Sequence, residues 1–163
     1  MAALSEATRG YLEALAAVAA TPFAAAASPP PGFYCAPDIG ALEQEAIFAR
    51  DWACPGMAAD LPNPGDYLTF SIGEQPFFSI RGQDGVIRSH SNVCLHRMMQ
   101  LVDGCGNKQR IVCPYHAWTY GTDGALVGAG HMRRTDGFDK KRLRLSSSTV
   151  EGHAGAVKGY TST

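Results

Sequence analysis

The chain has 163 residues, of which 45% are hydrophobic, and this is enough to bury one core of ordinary size. Its formal net charge is −1 and no block of basic residues occurs, so DNA and RNA are not expected as partners. No apolar run approaches the roughly 20 residues that a membrane span needs, so no membrane partner is expected either.

Residues 1–32 are predicted to form a helical arm and a proline-rich spacer. Apolar side chains fall at helical spacing in an alanine-rich stretch: Leu4, Tyr11, Leu12, Leu15 and Val18. An export signal is not expected, because Glu6 and Glu13 outweigh Arg9 where such a signal has its basic region. Residues 28–32, Ser-Pro-Pro-Pro-Gly, cannot continue a helix and are predicted to be extended.

Residues 33–155 are predicted to form the main domain, which begins with a second helix. This helix is expected from about Ile39 to Asp51, with Asp38 as its N-cap. Trp52 is expected to end the helix against a β-sheet.

Beyond Pro64 the sequence is typical of β-structure. Short runs of aromatic and β-branched residues, separated by glycines, predict strands over 67–72, 77–81 and 86–89. Later strands are predicted over 109–113, 118–121 and 142–147. The expected fold class is mainly β, a small antiparallel barrel or sandwich with N-terminal helices.

Two short motifs carry the chemistry, Cys94-Leu95-His96 and Cys113-Pro114-Tyr115-His116, and both are predicted at hairpin tips. Each motif supplies one thiolate and one imidazole. In a Rieske centre, two histidines replace two thiolates on one iron of a [2Fe–2S] cluster. Cys94 and Cys113 are predicted to hold the inner iron, and His96 and His116 the outer iron near solvent. The histidine edge would then be the port through which electrons pass.

Zinc also binds two cysteines and two histidines, so a zinc-binding interaction module is an alternative. Zinc modules usually pair cysteine with cysteine and histidine with histidine, whereas each motif here offers cysteine and then histidine. This order of ligands favours the iron–sulfur interpretation. Analysis of the bound metal would distinguish an iron–sulfur protein from a zinc module.

The flanks of the motifs resemble the Rieske domain of ring-hydroxylating oxygenase α subunits. The resemblance runs from about Phe33 to about Gly155 and is carried by Asn92-Val93, Ala117-Trp118, Trp52, Pro64-Gly65-Asp66-Tyr67 and Thr122-Asp123-Gly124. Small Rieske ferredoxins usually have glycine where Ala117 stands. A free-standing Rieske ferredoxin with an unusual arm is the second hypothesis.

The resemblance implies a one-electron relay within a larger enzyme. The domain would accept electrons from a reductase or ferredoxin and pass them to a mononuclear non-haem iron. In the family that iron uses dioxygen to hydroxylate or demethylate a small organic substrate. A homotrimeric parent is also implied, in which the acceptor is the catalytic domain of a neighbouring α subunit.

The catalytic domain itself is expected to be absent from this chain. Downstream of the motifs the only histidines are His131 and His153, which are too far apart to form the family's clustered iron-binding pair. Residues 156–163 depart from the family pattern and are predicted to be a divergent tail.

The remaining cysteines, Cys35, Cys54 and Cys105, have no spacing that demands disulfides, which fits a reducing cytoplasm. Each is expected to be a small buried hydrophobe. His90 is expected to be structural. The rings of Tyr115 and Tyr120 are expected to serve mainly in packing, and a hydroxyl that tunes the centre is the alternative role.

Overall fold

The computed structural model describes residues 4–130, 132, 135–148, 150–151 and 156–158, and the chain forms two compact units, Met1–Ile47 and Phe48–Thr163. The predicted domain division at residues 32 and 155 stays a prediction. His131, His153 and residues 159–163 of the predicted tail lie outside the described residues. Within the described residues, no helix is long and apolar enough to cross a membrane.

The first unit is helical. It contains α1 (Glu6–Ala19), a 3₁₀ turn (Phe23–Ala25), α2 (Pro31–Cys35) and α3 (Pro37–Glu43), and a π-helical turn (Gln44–Phe48) follows α3. The predicted extended spacer is wrong at its end, because Pro31 starts α2 at the first helical position, where proline is tolerated. Asp38 is not the N-cap of the next helix. It lies in the first turn of α3 and accepts a hydrogen bond from the Thr8 hydroxyl at 2.9 Å.

The second unit contains eleven described strands in three antiparallel sheets. The strands are β1 (Trp52–Ala53), β2 (Asp66–Ile72), β3 (Gln75–Arg81), β4 (Ile87–Ser91), β5 (Cys105–Asn107), β6 (Ile111–Val112), β7 (Thr119–Tyr120), β8 (Leu126–Gly128), β9 (Ser147–Ser148), β10 (Val150–Glu151) and β11 (Ala156–Lys158). The largest sheet has the order β5-β2-β3-β4-β9, and the others have the orders β6-β7-β8 and β1-β11-β10.

One hydrophobic core joins the two sheets that carry the chemical motifs. Phe78 and Ile80 of the five-stranded sheet share this core with Ile111, Tyr120 and Leu126 of the β6-β7-β8 sheet. The mainly β, antiparallel fold class is therefore confirmed. The described strands pair into open sheets and not into a closed barrel, and the hydrophobic core joins two of these sheets.

The first three predicted strands correspond to β2, β3 and β4, with boundaries shifted by one or two residues. The strand predicted over 142–147 is wrong for most of its length. The structure has a 3₁₀ turn (Lys140–Arg142) capped by Asp139, and β9 begins only at Ser147. Trp52 does not close a helix against a sheet. It forms β1, pairs with Lys158 and is 42% exposed.

The expectation that the three remaining cysteines are buried is wrong, because Cys35, Cys54 and Cys105 are all exposed, and none of them is in a disulfide. Cys35 ends the short helix α2, and Cys105 begins β5, the edge strand of the large sheet. Such positions leave a side chain open to solvent.

His90 is fully buried in β4, which agrees with a structural role. Its Nε2 lies 3.1 Å from the Thr122 carbonyl oxygen. Burial lowers the pKa of this imidazole below its ordinary value, so it stays neutral in the core. Gly124 packs against the ring at a φ of 85°, and a Cβ there would lie 2.8 Å from the imidazole. Only glycine suits this turn.

Candidate metal centre

The two chemical motifs lie on two loops of the second unit. The first loop, residues 94–99, follows β4 and is closed by an antiparallel bridge between Val93 and Gln100. The second loop, residues 113–118, joins the paired strands β6 and β7. The hairpin tip expected for the second motif is therefore present, whereas the first loop is closed by a single bridge.

The two loops share one backbone geometry. In each loop, the backbone N–H of the cysteine donates to the carbonyl of the residue five positions later in the chain. The carbonyl of the same cysteine accepts the N–H of the residue four positions later. The bonds run from Cys94 to Met99 (2.8 Å), Met98 to Cys94 (3.0 Å), Cys113 to Trp118 (2.8 Å) and Ala117 to Cys113 (3.0 Å). Met98 and Ala117 have left-handed backbones, with φ of 53° and 55°. This geometry explains why glycine suits the position of Ala117.

The side chains of the motifs form a buried pair and a more exposed pair. Cys94 is 1% exposed and Cys113 is 2% exposed, and both belong to the hydrophobic core. His96 and His116 are half-buried, and their ring centroids lie 4.6 Å apart. The thiols therefore face the core, and the imidazoles lie together nearer the surface.

This arrangement fits a binuclear centre. Among the described residues, no group of three or more histidine, cysteine or carboxylate side chains could hold one metal ion. A Rieske cluster needs only two protein ligands on each iron. The buried Nδ1 of His96 has no hydrogen-bond partner among the described residues, which leaves it available to a metal. None of the five cysteines is in a disulfide.

Tyr120 brings a hydroxyl to the buried sulfur, a contact that the sequence offered as the alternative to a packing role. Its oxygen lies 3.3 Å from Cys94 Sγ and accepts the Leu95 N–H at 3.1 Å. Because the oxygen accepts from Leu95, its own hydrogen is left to donate to the sulfur. Burial is the main cause that raises the pKa of Tyr120 above its ordinary value, so the hydroxyl stays protonated.

Asn92 holds the base of the first loop, another contact that the sequence did not predict. Its side chain is fully buried, and its Oδ1 accepts the N–H groups of Leu101 and Val102 at 3.2 and 3.0 Å. Its Nδ2 donates to the Val102 carbonyl at 2.8 Å. The Asn92 side-chain amide thus pairs with the backbone of Val102 as the backbone of a neighbouring strand would. Asn92 lies two residues before Cys94, so this pairing fixes the start of the first loop.

Asn92→Ala is expected to lower the free energy of unfolding by about 2 kcal/mol, because it removes three buried hydrogen bonds and leaves the buried Val102 N–H without its partner. Chemical denaturation of the protein measures this. The matched control is Gln100→Ala, which removes a donor to the same Val102 carbonyl from an exposed side chain and is expected to cost less than about 0.5 kcal/mol. Equal losses in the two variants would contradict this role of Asn92.

Comparison with known proteins assigns the class. Residues 51–144 match the Rieske [2Fe–2S] domain family, and this segment contains both loops. The chain belongs to the Rieske [2Fe–2S] domain family. This match favours an iron–sulfur centre over the zinc-binding interaction module.

Three similar proteins narrow the type of Rieske domain. The carnitine monooxygenase oxygenase subunit of Acinetobacter pittii is 38% identical over 129 residues, which are 78% of this chain and 35% of that protein. The quaternary ammonium Rieske monooxygenase whose structure gives insights into carnitine oxidation by gut microbiota has a TM-score of 0.72 at 40% identity, over 78% of this chain and 35% of that one. The structure of naphthalene 1,2-dioxygenase from Rhodococcus sp. has a TM-score of 0.82 at 30% identity, and the match covers 96% of this chain and 36% of that one.

These relatives are oxygenases, so the Rieske domain of this chain is of the oxygenase α-subunit type. The comparisons therefore favour the oxygenase domain over a free-standing Rieske ferredoxin. The chain spans about a third of the length of these relatives.

Proposed function

We propose that Cys94, His96, Cys113 and His116 are the protein ligands of the [2Fe–2S] cluster. The observation that carries this proposal is the pairing of two core thiols with two half-buried imidazoles on loops of equal geometry. When bound, the cluster supplies reversible one-electron transfer at a potential above that of a four-thiolate cluster. The buried thiols of Cys94 and Cys113 would hold one iron away from water. The half-buried imidazoles of His96 and His116 would hold the other iron and would form the edge that faces a redox partner.

Within this proposal, the Tyr120 hydroxyl tunes the centre. An O–H that donates to Cys94 Sγ stabilises negative charge on the sulfur and so favours the reduced state. Tyr120→Phe is therefore expected to lower the reduction potential by about 50 mV, equivalent to one hydrogen bond of about 1 kcal/mol for a one-electron couple.

Potentiometric titration followed by visible absorbance measures this shift. Tyr115→Phe is the matched control, because it removes the hydroxyl of an exposed tyrosine and keeps the ring that contacts His116. Its potential is expected to stay within about 10 mV of wild type, well below the effect of one hydrogen bond. An unchanged or raised potential in Tyr120→Phe would show that the hydroxyl does not tune the centre.

The parent activity that we propose is oxygenation of a quaternary ammonium compound, with this domain as the electron relay. The carnitine monooxygenase subunit and the quaternary ammonium monooxygenase support this substrate class, in preference to aromatic ring hydroxylation. The donor is a reductase or ferredoxin that carries NAD(P)H-derived electrons. The acceptor is the mononuclear non-haem iron of a catalytic domain in a neighbouring α subunit of a homotrimer. The structural work on the quaternary ammonium enzyme refers to inter-subunit electron transfer.

We place the protein in the cytoplasm within the same proposal. None of the five cysteines is in a disulfide and three of them are exposed, and exposed thiols persist where glutathione and thioredoxin keep them reduced.

The test of the relay mixes the cluster-loaded chain with NADH and the reductase of a quaternary ammonium monooxygenase under anaerobic conditions. Stopped-flow absorbance is expected to show bleaching of the visible bands as the centre takes one electron. The matched variant His116→Cys is expected to be reduced more slowly, because its potential is lower. A centre that dithionite reduces but that this reductase leaves oxidised would overturn the proposed donor.

A further inference from the structure

Five aromatic rings form a continuous column through the candidate centre. In order they are Phe138, Trp118, His96, His116 and Tyr115, with centroid separations of 5.7, 4.9, 4.6 and 3.8 Å. We call this set the ring column. The two candidate histidine ligands, His96 and His116, lie inside the ring column. Their neighbours in the column, Trp118 and Tyr115, are not candidate ligands.

Trp118 is the member that anchors the column in the protein core. It is 4% exposed, and its backbone carbonyl accepts the Cys113 N–H that closes the second loop. Its indole lies 7° from parallel to the imidazole of His96. A residue at the base of one loop thus supports the histidine of the other loop.

His96 needs such support, because its own loop is open to solvent. The adjacent residues are exposed, and Met98 is 85% exposed. The torsion that sets the plane of a histidine ring is broad and soft. The plane of a ligand imidazole is usually fixed by a hydrogen bond from its second nitrogen. The flat contact with Trp118 can fix that plane without a hydrogen bond.

We propose that Trp118 is a positioning residue that fixes the imidazole plane of His96, and with it the direction of the histidine edge. The proposal rests on the proposed function, in which His96 is a ligand of the outer iron. It goes beyond a packing role for Trp118, because it predicts a change in the electronic coupling of one histidine. Loss of packing alone would change stability and leave that coupling as it is.

The experiment compares Trp118→Leu and Trp118→Phe with wild type in the cluster-loaded, dithionite-reduced protein. Pulsed EPR measures the hyperfine couplings of the two histidine nitrogens, and iron content is quantified in the same samples. In Trp118→Leu, one of the two nitrogen couplings is expected to shift and broaden, while the other stays at its wild-type value. Trp118→Phe keeps a flat ring and is expected to restore most of the wild-type coupling.

Phe138→Leu is the matched control, because Phe138 packs on Trp118 at an interplanar angle of 62° and is partly buried against the same core, so this change also reduces core packing. Its nitrogen couplings are expected to match wild type. Unchanged couplings in a fully loaded Trp118→Leu protein would overturn the positioning role and leave the proposed function intact. A wild-type protein that shows no histidine nitrogen coupling would overturn the proposed function itself.

If the Trp118 variants assemble no cluster, the cluster-free proteins decide the matter by NMR. A parallel indole shifts the ring protons of a stacked imidazole upfield. The His96 ring protons are expected to carry this shift in the wild-type protein and to keep most of it in Trp118→Phe, where a flat ring still holds the imidazole plane. His96 protons at ordinary positions in the wild-type protein would overturn the proposal.

Discussion

Cys94→Ser and Cys113→Ser are each expected to abolish assembly of the cluster. Both thiols are buried in the core, so serine of nearly the same shape can occupy the site without disturbing the fold. A serine hydroxyl does not ionise near neutral pH and is a poor substitute for a thiolate on iron. We expect about a tenfold or greater loss of bound iron and acid-labile sulfide per chain, since the soft thiolate is the preferred ligand.

Iron and sulfide analysis with visible absorption measures the loss. The matched control is Cys105→Ser, which alters an exposed thiol on the edge strand β5, outside both loops. This control is expected to bind wild-type amounts of iron and sulfide. A native-like cluster in either Cys94→Ser or Cys113→Ser would remove that cysteine from the ligand set.

The second large effect is expected from His116→Cys. Two thiolates, two sulfides and two neutral imidazoles balance two ferric ions, so a third thiolate makes the oxidised centre anionic. Rieske centres lie at about −150 to +300 mV and plant-type ferredoxins near about −400 mV. Replacing one of the two imidazoles is therefore expected to lower the potential by at least about 100 mV.

Potentiometric titration of the loaded variant measures this shift. The matched control is Met98→Glu, which adds a negative charge to the first loop on a side chain that is 85% exposed. Water and salt screen such a charge, so its effect is expected to be a few tens of mV at most, or about 1 kcal/mol. A potential unchanged in His116→Cys, or equal shifts in the two variants, would contradict the charge argument.

The candidate ligands could be predicted from the sequence because both halves of the set are local motifs. Cys94 with His96, and Cys113 with His116, are recognisable without any tertiary information. The strands β2, β3 and β4 were also predictable, since glycine-containing turns separate runs of residues that suit a pleated surface.

Elements that depend on pairing with distant segments were not predictable in this way. Strand β5, Cys105–Asn107, has the sequence Cys-Gly-Asn and is a strand only because its backbone pairs with β2. Conversely, the strand predicted over 142–147 is mostly absent. The structure pairs that segment through a single bridge between Ala125 and Arg144 before β9 begins.

The supporting contacts of the centre are long-range as well. Asn92 reaches across the first loop to Val102, and Tyr120 reaches Cys94 from a different sheet. The stacking of Trp118 on His96 joins the two loops. Each of these residues has an ordinary structural interpretation in sequence, and only the fold reveals which atom it contacts.

We expect this chain to carry a Rieske centre with mixed cysteine and histidine ligands. The most direct test is low-temperature EPR and visible absorption of the purified, anaerobically reconstituted chain before and after dithionite, with iron and acid-labile sulfide quantified. We predict a red-brown protein with equal iron and sulfide and a rhombic signal of low average g on reduction. A colourless protein, or one loaded with zinc, would show that the chain does not assemble such a centre.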